Sequence, residues 1–138
     1  MKLVKLTFFL GLVVIAIFGC DDRSLEIKEN IIENVYVEND TVEIVTGNTQ
    51  NGSEIIVTII DEDGSHPLGE NVRFKTDLGG LMRIGTKERT ETQIDDQTDE
   101  NGIAKVYFYE KDVPGLAEIE ISVFGDKKTV QVMIIDPE

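Results

Sequence analysis

Short runs of alternating apolar and polar residues recur from residue 41 onward, and this alternation constrains the fold more than any other feature. In residues 103–109, for example, Ala104, Val106 and Phe108 take every second position. Side chains of a strand point alternately to opposite faces, so each run predicts a strand with one buried face. The predicted strands are residues 42–46, 54–60, 71–76, 81–84, 103–109, 117–124 and 129–135.

Clusters of Asp, Asn and Gly separate these runs, for instance at residues 61–64, 99–102 and 125–126. Such clusters favour tight turns, because Gly adopts positive φ and Asp or Asn hydrogen-bonds to nearby backbone. Seven or eight short strands joined by frequent turns predict an all-β protein with an antiparallel β-sandwich. Residues 85–101 are polar and are expected to form a loop.

The balance of apolar residue types supports the same fold class. Beyond residue 19 the chain contains 15 Ile and 11 Val but only 5 Leu and 2 Ala. β-branched side chains are stiff and pack well on a pleated surface, whereas Leu and Ala favour helices.

Residues 1–19 have the pattern of a secretory leader. Lys2 and Lys5 precede an apolar run of 13 residues, 6–18, which is followed by Gly19. This order is typical of a signal peptide. The run is shorter than the ~20 residues that a transmembrane helix needs, which disfavours the alternative of an uncleaved anchor helix.

Residues 17–20, Ile-Phe-Gly-Cys, resemble a bacterial lipobox. The resemblance implies that Cys20 is acylated, with palmitate as a typical acyl group, and becomes the mature N-terminus. The implied partner is therefore a membrane, held through the lipid anchor on Cys20, because two or more acyl chains bind a bilayer stably. Asp21 and Asp22 follow directly, and in bacterial lipoproteins such residues steer sorting. We expect the outer membrane or the cell surface more than the inner membrane.

Residues 20–40 are rich in charged residues and Asn, and they are predicted to be a tether that carries a domain at residues 41–138. The spacing of Ile27, Ile31 and Val35 fits a short helix, whereas residues 35–37 fit an early strand. Both alternatives stay open. A fully extended tether of this length would reach up to ~65 Å.

The charge and the rare residues exclude several classes of function. The chain has 13 basic and 27 acidic residues, a formal net charge of −14, so a nucleic-acid partner is not expected. A single Cys excludes an internal disulfide and a multi-Cys zinc site, and a single His excludes a His-rich metal site.

Several motifs follow one another in a characteristic order between residues 55 and 123. The motifs are the Asp61-x-x-Gly64 turn, Pro67, the Val72-x-Phe74 strand, Gly79-Gly80, the Thr98-Asp99-x-Asn101-Gly102 turn and the Ala104-x-Val106 strand. They resemble the bacterial Ig-like domains of group 1, the repeats of invasin and intimin stalks.

This resemblance implies an Ig-like β-sandwich that acts as a structural or adhesion module, with no active site and no cofactor. Such domains usually occur in tandem, whereas this chain has room for one. Carboxypeptidase-regulatory or transthyretin-like domains share the two Asp-Gly turns and provide the alternative fold.

Two acidic clusters are candidates for calcium, which prefers six to eight oxygen ligands. They are Asp61, Glu62 and Asp63, and Asp95, Asp96, Asp99, Glu100 and Asn101. Neither fits an EF-hand: with Gly102 at the sixth position, Phe108 falls where a bidentate Glu is required. Turn chemistry on a solvated acidic surface accounts for the same residues, so no metal ligand is assigned.

His66 precedes Pro67 in a turn region, and the chain lacks a G-x-S-x-G nucleophile motif. A triad needs an oriented base beside a nucleophile, so we assign no catalytic residue and expect no enzyme.

Tyr36, Tyr107, Tyr109 and Phe124 are predicted to face outward from their strands. Exposed aromatic residues on a sheet stack on sugars or anchor a protein partner. We therefore expect a lipid-anchored envelope protein with an adhesion or accessory role and a protein or glycan partner on the cell surface. The alternative is a module that binds calcium or a glycan.

Overall fold

The computed structural model describes residues 28–45, 51–85 and 91–137, and nine β-strands form within these residues. The strands are β1 (Asn30–Val37), β2 (Thr41–Glu43), β3 (Gly52–Asp61), β4 (Asn71–Thr76), β5 (Gly80–Met82), β6 (Gln93–Gln97), β7 (Ile103–Tyr109), β8 (Gly115–Val123) and β9 (Asp126–Ile135). They form two sheets. The first sheet has the order β1-β3-β7-β5, and the second sheet has the order β2-β9-β8-β4-β6.

The prediction of an all-β sandwich is confirmed. The alternating residues of each sheet fill one shared core, as the period-two pattern predicted. Its fully buried members include Ile55, Val57 and Ile59 of β3, Val106 and Phe108 of β7, Val72 and Phe74 of β4, Ile119 and Ile121 of β8, and Ile134 of β9.

One strand pair departs from the predicted antiparallel arrangement: β2 is parallel to β9, with Thr41 opposite Met133. The cause is the path of the chain, which leaves the first sheet after Val37 and joins the second sheet at Thr41 without reversing. The backbone amide of Met133 donates to the carbonyl oxygen of Asp40 (2.8 Å) at this crossing. Consecutive strands at the start of the described chain therefore belong to different sheets: β1 is an edge strand of the first sheet, and β2 is an edge strand of the second.

The predicted tether is wrong for residues 30–37, which form β1 and pair with β3 over its length. Ile32 is 1% exposed and belongs to the core. A register shift between Ile32 and Asn34 interrupts the alternation, which is why the strand was not recognised over its whole length in the sequence. Of the two alternatives for residues 35–37, the strand is confirmed. Residues 20–27 lie outside the described residues.

The polar stretch 85–101 also contains a strand that the sequence did not indicate. β6 pairs with β4 at the edge of the second sheet, and of its residues only Ile94 is buried. A five-residue edge strand with one inward apolar side chain carries too little hydrophobic alternation to be recognised.

The chain enters and leaves the sandwich at opposite ends. At the entry pole, defined by Asn30, the turns 61–66 and 99–102 and the hairpin tip 124–125, the Asn30 amide donates to the Phe124 carbonyl (2.8 Å). At the exit pole, defined by Ile44, Gly115 and Ile135, the Ile44 amide donates to the Ile135 carbonyl (2.9 Å). β1, β7 and β9 all run from the entry pole to the exit pole.

The two Asp-x-x-Gly turns at the entry pole share one hydrogen-bond pattern. Oδ1 of Asp61 accepts from the amides of Asp63 (2.9 Å) and Ser65 (3.0 Å). Oδ1 of Asp99 likewise accepts from the amides at positions 101 (2.8 Å) and 103 (3.0 Å). Each turn ends on a glycine with positive φ, 79° at Gly64 and 72° at Gly102.

The two glycines differ in their surroundings, and the difference gives a paired prediction. A Cβ on Gly64 would meet no atom within 4 Å. Gly64→Ala should therefore lower the free energy of unfolding only by the cost of the left-handed conformation for alanine, about 1 kcal/mol. A Cβ on Gly102 would lie 2.5 Å from the carbonyl oxygen of Ile59, so Gly102→Ala should cost at least ~1 kcal/mol more. Urea unfolding of both variants measures the free energies, and equal losses would contradict the packing described for Gly102.

Candidate interaction surface

The outer face of the first sheet carries a group of aromatic and apolar side chains. Tyr36 of β1 is 54% exposed, and Tyr107 and Tyr109 of β7 are partly buried on the face opposite Val106 and Phe108. The prediction that these three tyrosines face outward is confirmed.

Strand register brings these residues together with two others. Tyr36 lies opposite Ile56 of β3, and Tyr107 lies opposite Met82 of β5. Tyr107 and Tyr109 are two positions apart on one strand, with ring centroids 4.7 Å apart and planes tilted by 59°. This geometry is within the range that aromatic pairs prefer. We call the set Tyr36, Ile56, Met82, Tyr107 and Tyr109 the tyrosine patch; it lies in the half of the sheet nearer the exit pole.

Glycines on the neighbouring strands make room for the tyrosine rings. Gly52 and Gly80 flank Tyr109 on either side in the sheet. A Cβ on Gly52 would lie 2.4 Å from Cε1 of Tyr107, so a larger residue would displace that ring. The rings therefore lie against bare backbone, which explains how they are half-buried on an outer surface.

Charged residues surround the tyrosine patch. Glu54 lies opposite Tyr107. Nζ of Lys105 is 3.9 Å from Oε1 of Glu54. Burial, followed by the nearby Tyr109, Glu38 and Glu54, raises the pKa of Tyr107, and burial raises the pKa of Tyr109. Both phenols are thus neutral at physiological pH and offer hydroxyl donors beside apolar rings.

Phe124 is also exposed as predicted, at 58%, but it is remote from the tyrosine patch. It occupies the tip of the β8–β9 hairpin at the entry pole. The four aromatic residues that the sequence grouped together therefore belong to two separate surfaces.

The sequence did not reveal a further group of exposed apolar residues near the exit pole. Leu116 of β8 lies opposite Met133 of β9, and Ile135 is two residues further along, all on the outer face of the second sheet. In the sequence these apolar residues occupy positions of the alternating pattern that point away from the core, and this could have indicated that they are exposed. Apolar surface is therefore present on both outer faces at this end of the sandwich.

Most of the acidic residues that were candidates for calcium are engaged in turns and pairs. Asp61 and Asp99 accept backbone amides of their own turns, and Oδ2 of Asp96 accepts the Lys105 amide (3.0 Å). Asp95 pairs with Arg73 (2.9 Å), and the hydrogen bond from Arg73 lowers the pKa of Asp95. Among the residues that the structure describes, no three His, Cys, Asp or Glu side chains are arranged to hold a metal ion.

His66 is an exposed loop residue whose Nδ1 lies 3.2 Å from the carbonyl oxygen of Ile59. This contact holds the 61–66 turn against β3. The ring also lies beside Gly102, so its role in the described residues is to pack one turn onto the other.

The predicted leader and Cys20 lie outside the described residues, so the predicted lipid anchor stays a prediction. Within the ranges 28–45, 51–85 and 91–137, no helix is long and apolar enough to cross a bilayer.

Two solved structures share this fold. One is the C-terminal 282-residue fragment of intimin in complex with the intimin-binding domain of the translocated intimin receptor, with a TM-score of 0.57 and 22% identity. It matches over 75% of this chain and 33% of that one. The other is the D0-D1 domain of intimin, with a TM-score of 0.54 and 23% identity over 76% of this chain and 49% of that one.

This chain thus spans a third to a half of the length of the intimin structures that it resembles. No family profile and no curated protein sequence matches it. At this identity the likeness concerns the fold alone: the sandwich has the Ig-like fold of these intimin domains.

Proposed function

We propose that this chain is a lipid-anchored protein of the bacterial cell envelope whose single Ig-like sandwich acts as an adhesion or accessory interaction module. The observation that carries the proposal is the position of the tyrosine patch. It lies in the half of the first sheet away from the entry pole, and the entry pole is the end that Cys20 would tether to a membrane. The patch would therefore face away from the bilayer, toward a partner.

The proposed anchor is the acylated Cys20, at the outer membrane or the cell surface. Its support is the order of Lys2, Lys5, the apolar run and the lipobox-like residues 17–20. Acyl chains provide membrane affinity that an acidic domain of this kind lacks, since its charge repels anionic lipids.

The proposed partner is a protein. The tyrosine patch combines large rigid rings with hydroxyl donors, which is the composition of energetically important residues in protein interfaces. One of the intimin structures with this fold contains intimin bound to a domain of a receptor protein, which favours a protein over a small ligand.

The competing proposal is a module that binds calcium or a glycan. The observation in its favour is that the rings of Tyr107 and Tyr109 lie close together on an outer face, where a sugar could stack on them. The engagement of Asp61 and Asp99 with backbone amides argues against the calcium version.

Cys20→Ser should move the protein from the membrane fraction to the soluble fraction, because hydroxyl replaces the thiol that carries the acyl chains. Labelling of cells with an alkyne analogue of palmitate should mark the wild-type protein and leave the variant unmarked. Ser24→Ala, four residues further on, is the matched control and should retain both anchor and label. Persistence of the Cys20→Ser variant in membranes would contradict the proposed anchor.

The choice of partner is tested by photo-crosslinking in intact cells. Benzoylphenylalanine at position 36, in the tyrosine patch, should give discrete protein adducts on irradiation, whereas at the exposed Thr129 of the second sheet it should give none. Absence of adducts at position 36, or equal adducts at both positions, would contradict a protein partner at this surface.

The competing proposal predicts a different result for the same protein without its anchor. Glycan-array binding by the Cys20→Ser chain that is lost in Tyr107→Ser would favour the glycan version. A rise in melting temperature in millimolar calcium, compared with magnesium at equal ionic strength, would favour the calcium version, because a ligand of the native state stabilises it.

A further inference from the structure

Phe124 is an exposed aromatic residue held at the point where the chain enters the sandwich. It is 58% exposed and forms, with Gly125, the two-residue tip of the β8–β9 hairpin. Its carbonyl oxygen accepts the Asn30 amide (2.8 Å), and Gly125 has a φ of 101°. The backbone of the tip is therefore fixed beside the first described residues, with the phenyl ring directed into solvent.

Leu68 is a second apolar side chain exposed at the same pole. It is 71% exposed, although the loop on either side of it is pinned to Thr98. Oγ1 of Thr98 donates to the Pro67 carbonyl (2.6 Å), and the Thr98 carbonyl accepts the Gly69 amide (2.8 Å). Glu70, next in the loop, accepts from Nδ2 of Asn30 (2.9 Å), which locates the loop at the entry pole. An ordered backbone thus holds an apolar residue exposed there.

The length of chain between the proposed anchor and the sandwich limits how far this pole stands from a membrane. Because residues 30–37 form β1, nine residues separate Cys20 from Asn30 instead of a tether that extends to residue 40. Even fully extended, these residues span at most ~35 Å, about half the reach of a tether that ends at residue 40. The entry pole is therefore confined to a thin layer next to the bilayer, at a high effective concentration.

The charge of the pole decides what kind of lipid contact is favourable. Acidic residues, among them Asp63, Glu70, Asp99 and Asp126, outnumber the lysines there, and Lys28 is paired with Asp63. Attraction to anionic headgroups is therefore excluded as the driving force. The apolar side chains remain, and Phe and Leu are among the residues that interfacial segments bury at the boundary between headgroups and acyl chains.

We propose that Phe124 and Leu68 form a second membrane contact, seated in the interface of the bilayer that holds the Cys20 acyl chains. The inference rests on the proposed acylation of Cys20. The contact restricts the tilt of the sandwich, so that the tyrosine patch and the exit pole are presented outward. It favours zwitterionic phosphatidylcholine and weakens as anionic phosphatidylglycerol is added at low salt.

The chain has no Trp, so a single introduced Trp reports one position. The acylated full-length Phe124→Trp protein is placed in phosphatidylcholine vesicles with brominated acyl chains. We expect a shift of its emission to shorter wavelength and quenching several-fold stronger than that of Val113→Trp. Val113 is the matched control because it is 50% exposed in the loop between β7 and β8 at the exit pole. Leu68→Trp should show the same shift and quenching as Phe124→Trp, and it replaces that variant as the probe if Phe124→Trp fails to fold.

Equal quenching of Trp at positions 124 and 113 would overturn the contact. So would a blue shift at position 124 that comes with equal emission intensity in vesicles with and without brominated chains, since that result indicates a protein partner or self-association. Stronger quenching in vesicles rich in phosphatidylglycerol than in phosphatidylcholine would also overturn it.

The intact mass of the purified protein separates this inference from the proposed function. Lack of acyl mass on Cys20 contradicts the anchor itself. If the Phe124→Trp protein is acylated and vesicle-bound but its emission is unquenched, the anchor stands and the second contact is removed.

Discussion

The pairing of β1 with β3 is the interaction on which the rest of the structure depends. It buries Ile32 in the core, and a buried side chain of this size contributes about 1.5–3 kcal/mol through removal from water. Two β9 side chains complete the pairing on the other edge of the strand: Oδ2 of Asp126 accepts the Ile32 amide (3.0 Å), and Nζ of Lys128 donates to the Ile32 carbonyl (2.7 Å). β1 is thus joined to both sheets, and the point of entry is fixed.

A fixed point of entry gives the sandwich a direction. The Asp-Gly turns, Leu68 and Phe124 lie at the entry pole, and the tyrosine patch lies toward the exit pole. An anchor at Cys20, with nine residues of intervening chain, would hold the entry pole near the bilayer and leave the tyrosine patch accessible. With such an anchor, Phe124 and the tyrosine patch would have different surroundings.

The sequence predicted the fold where the alternation is regular and failed where it is interrupted. β3, β7 and β8 present every second side chain to the core, and their predicted ranges differ from the observed ones by only a few residues. Only residues 35–37 of β1 were considered as a strand, because the register shift after Ile32 interrupts the alternation in a segment full of charge. β6 was missed because an edge strand needs only Ile94 as an inward apolar residue.

The surfaces were harder to predict than the core. Alternation indicated the direction of Tyr107 and Tyr109, but only the strand order brings Tyr36 and Met82 beside them. The carboxylates of Asp61 and Asp99 fit both a turn and a cation in sequence, and only the hydrogen bonds of their Oδ1 atoms distinguish the two. Long-range placement of this kind depends on sheet topology, which short-range patterns do not encode.

Native-state hydrogen exchange of β1 tests the central claim most directly, on the Cys20→Ser chain in solution. The amides of Ile32 and Glu38 have acceptors within the sandwich, as has the Ile59 amide of β3. The account predicts that the amides of β1 are protected with opening free energies close to that of Ile59. Exchange of the β1 amides at the rate of an unstructured chain, with Ile59 still protected, would mean that residues 30–37 are a tether after all and would contradict it.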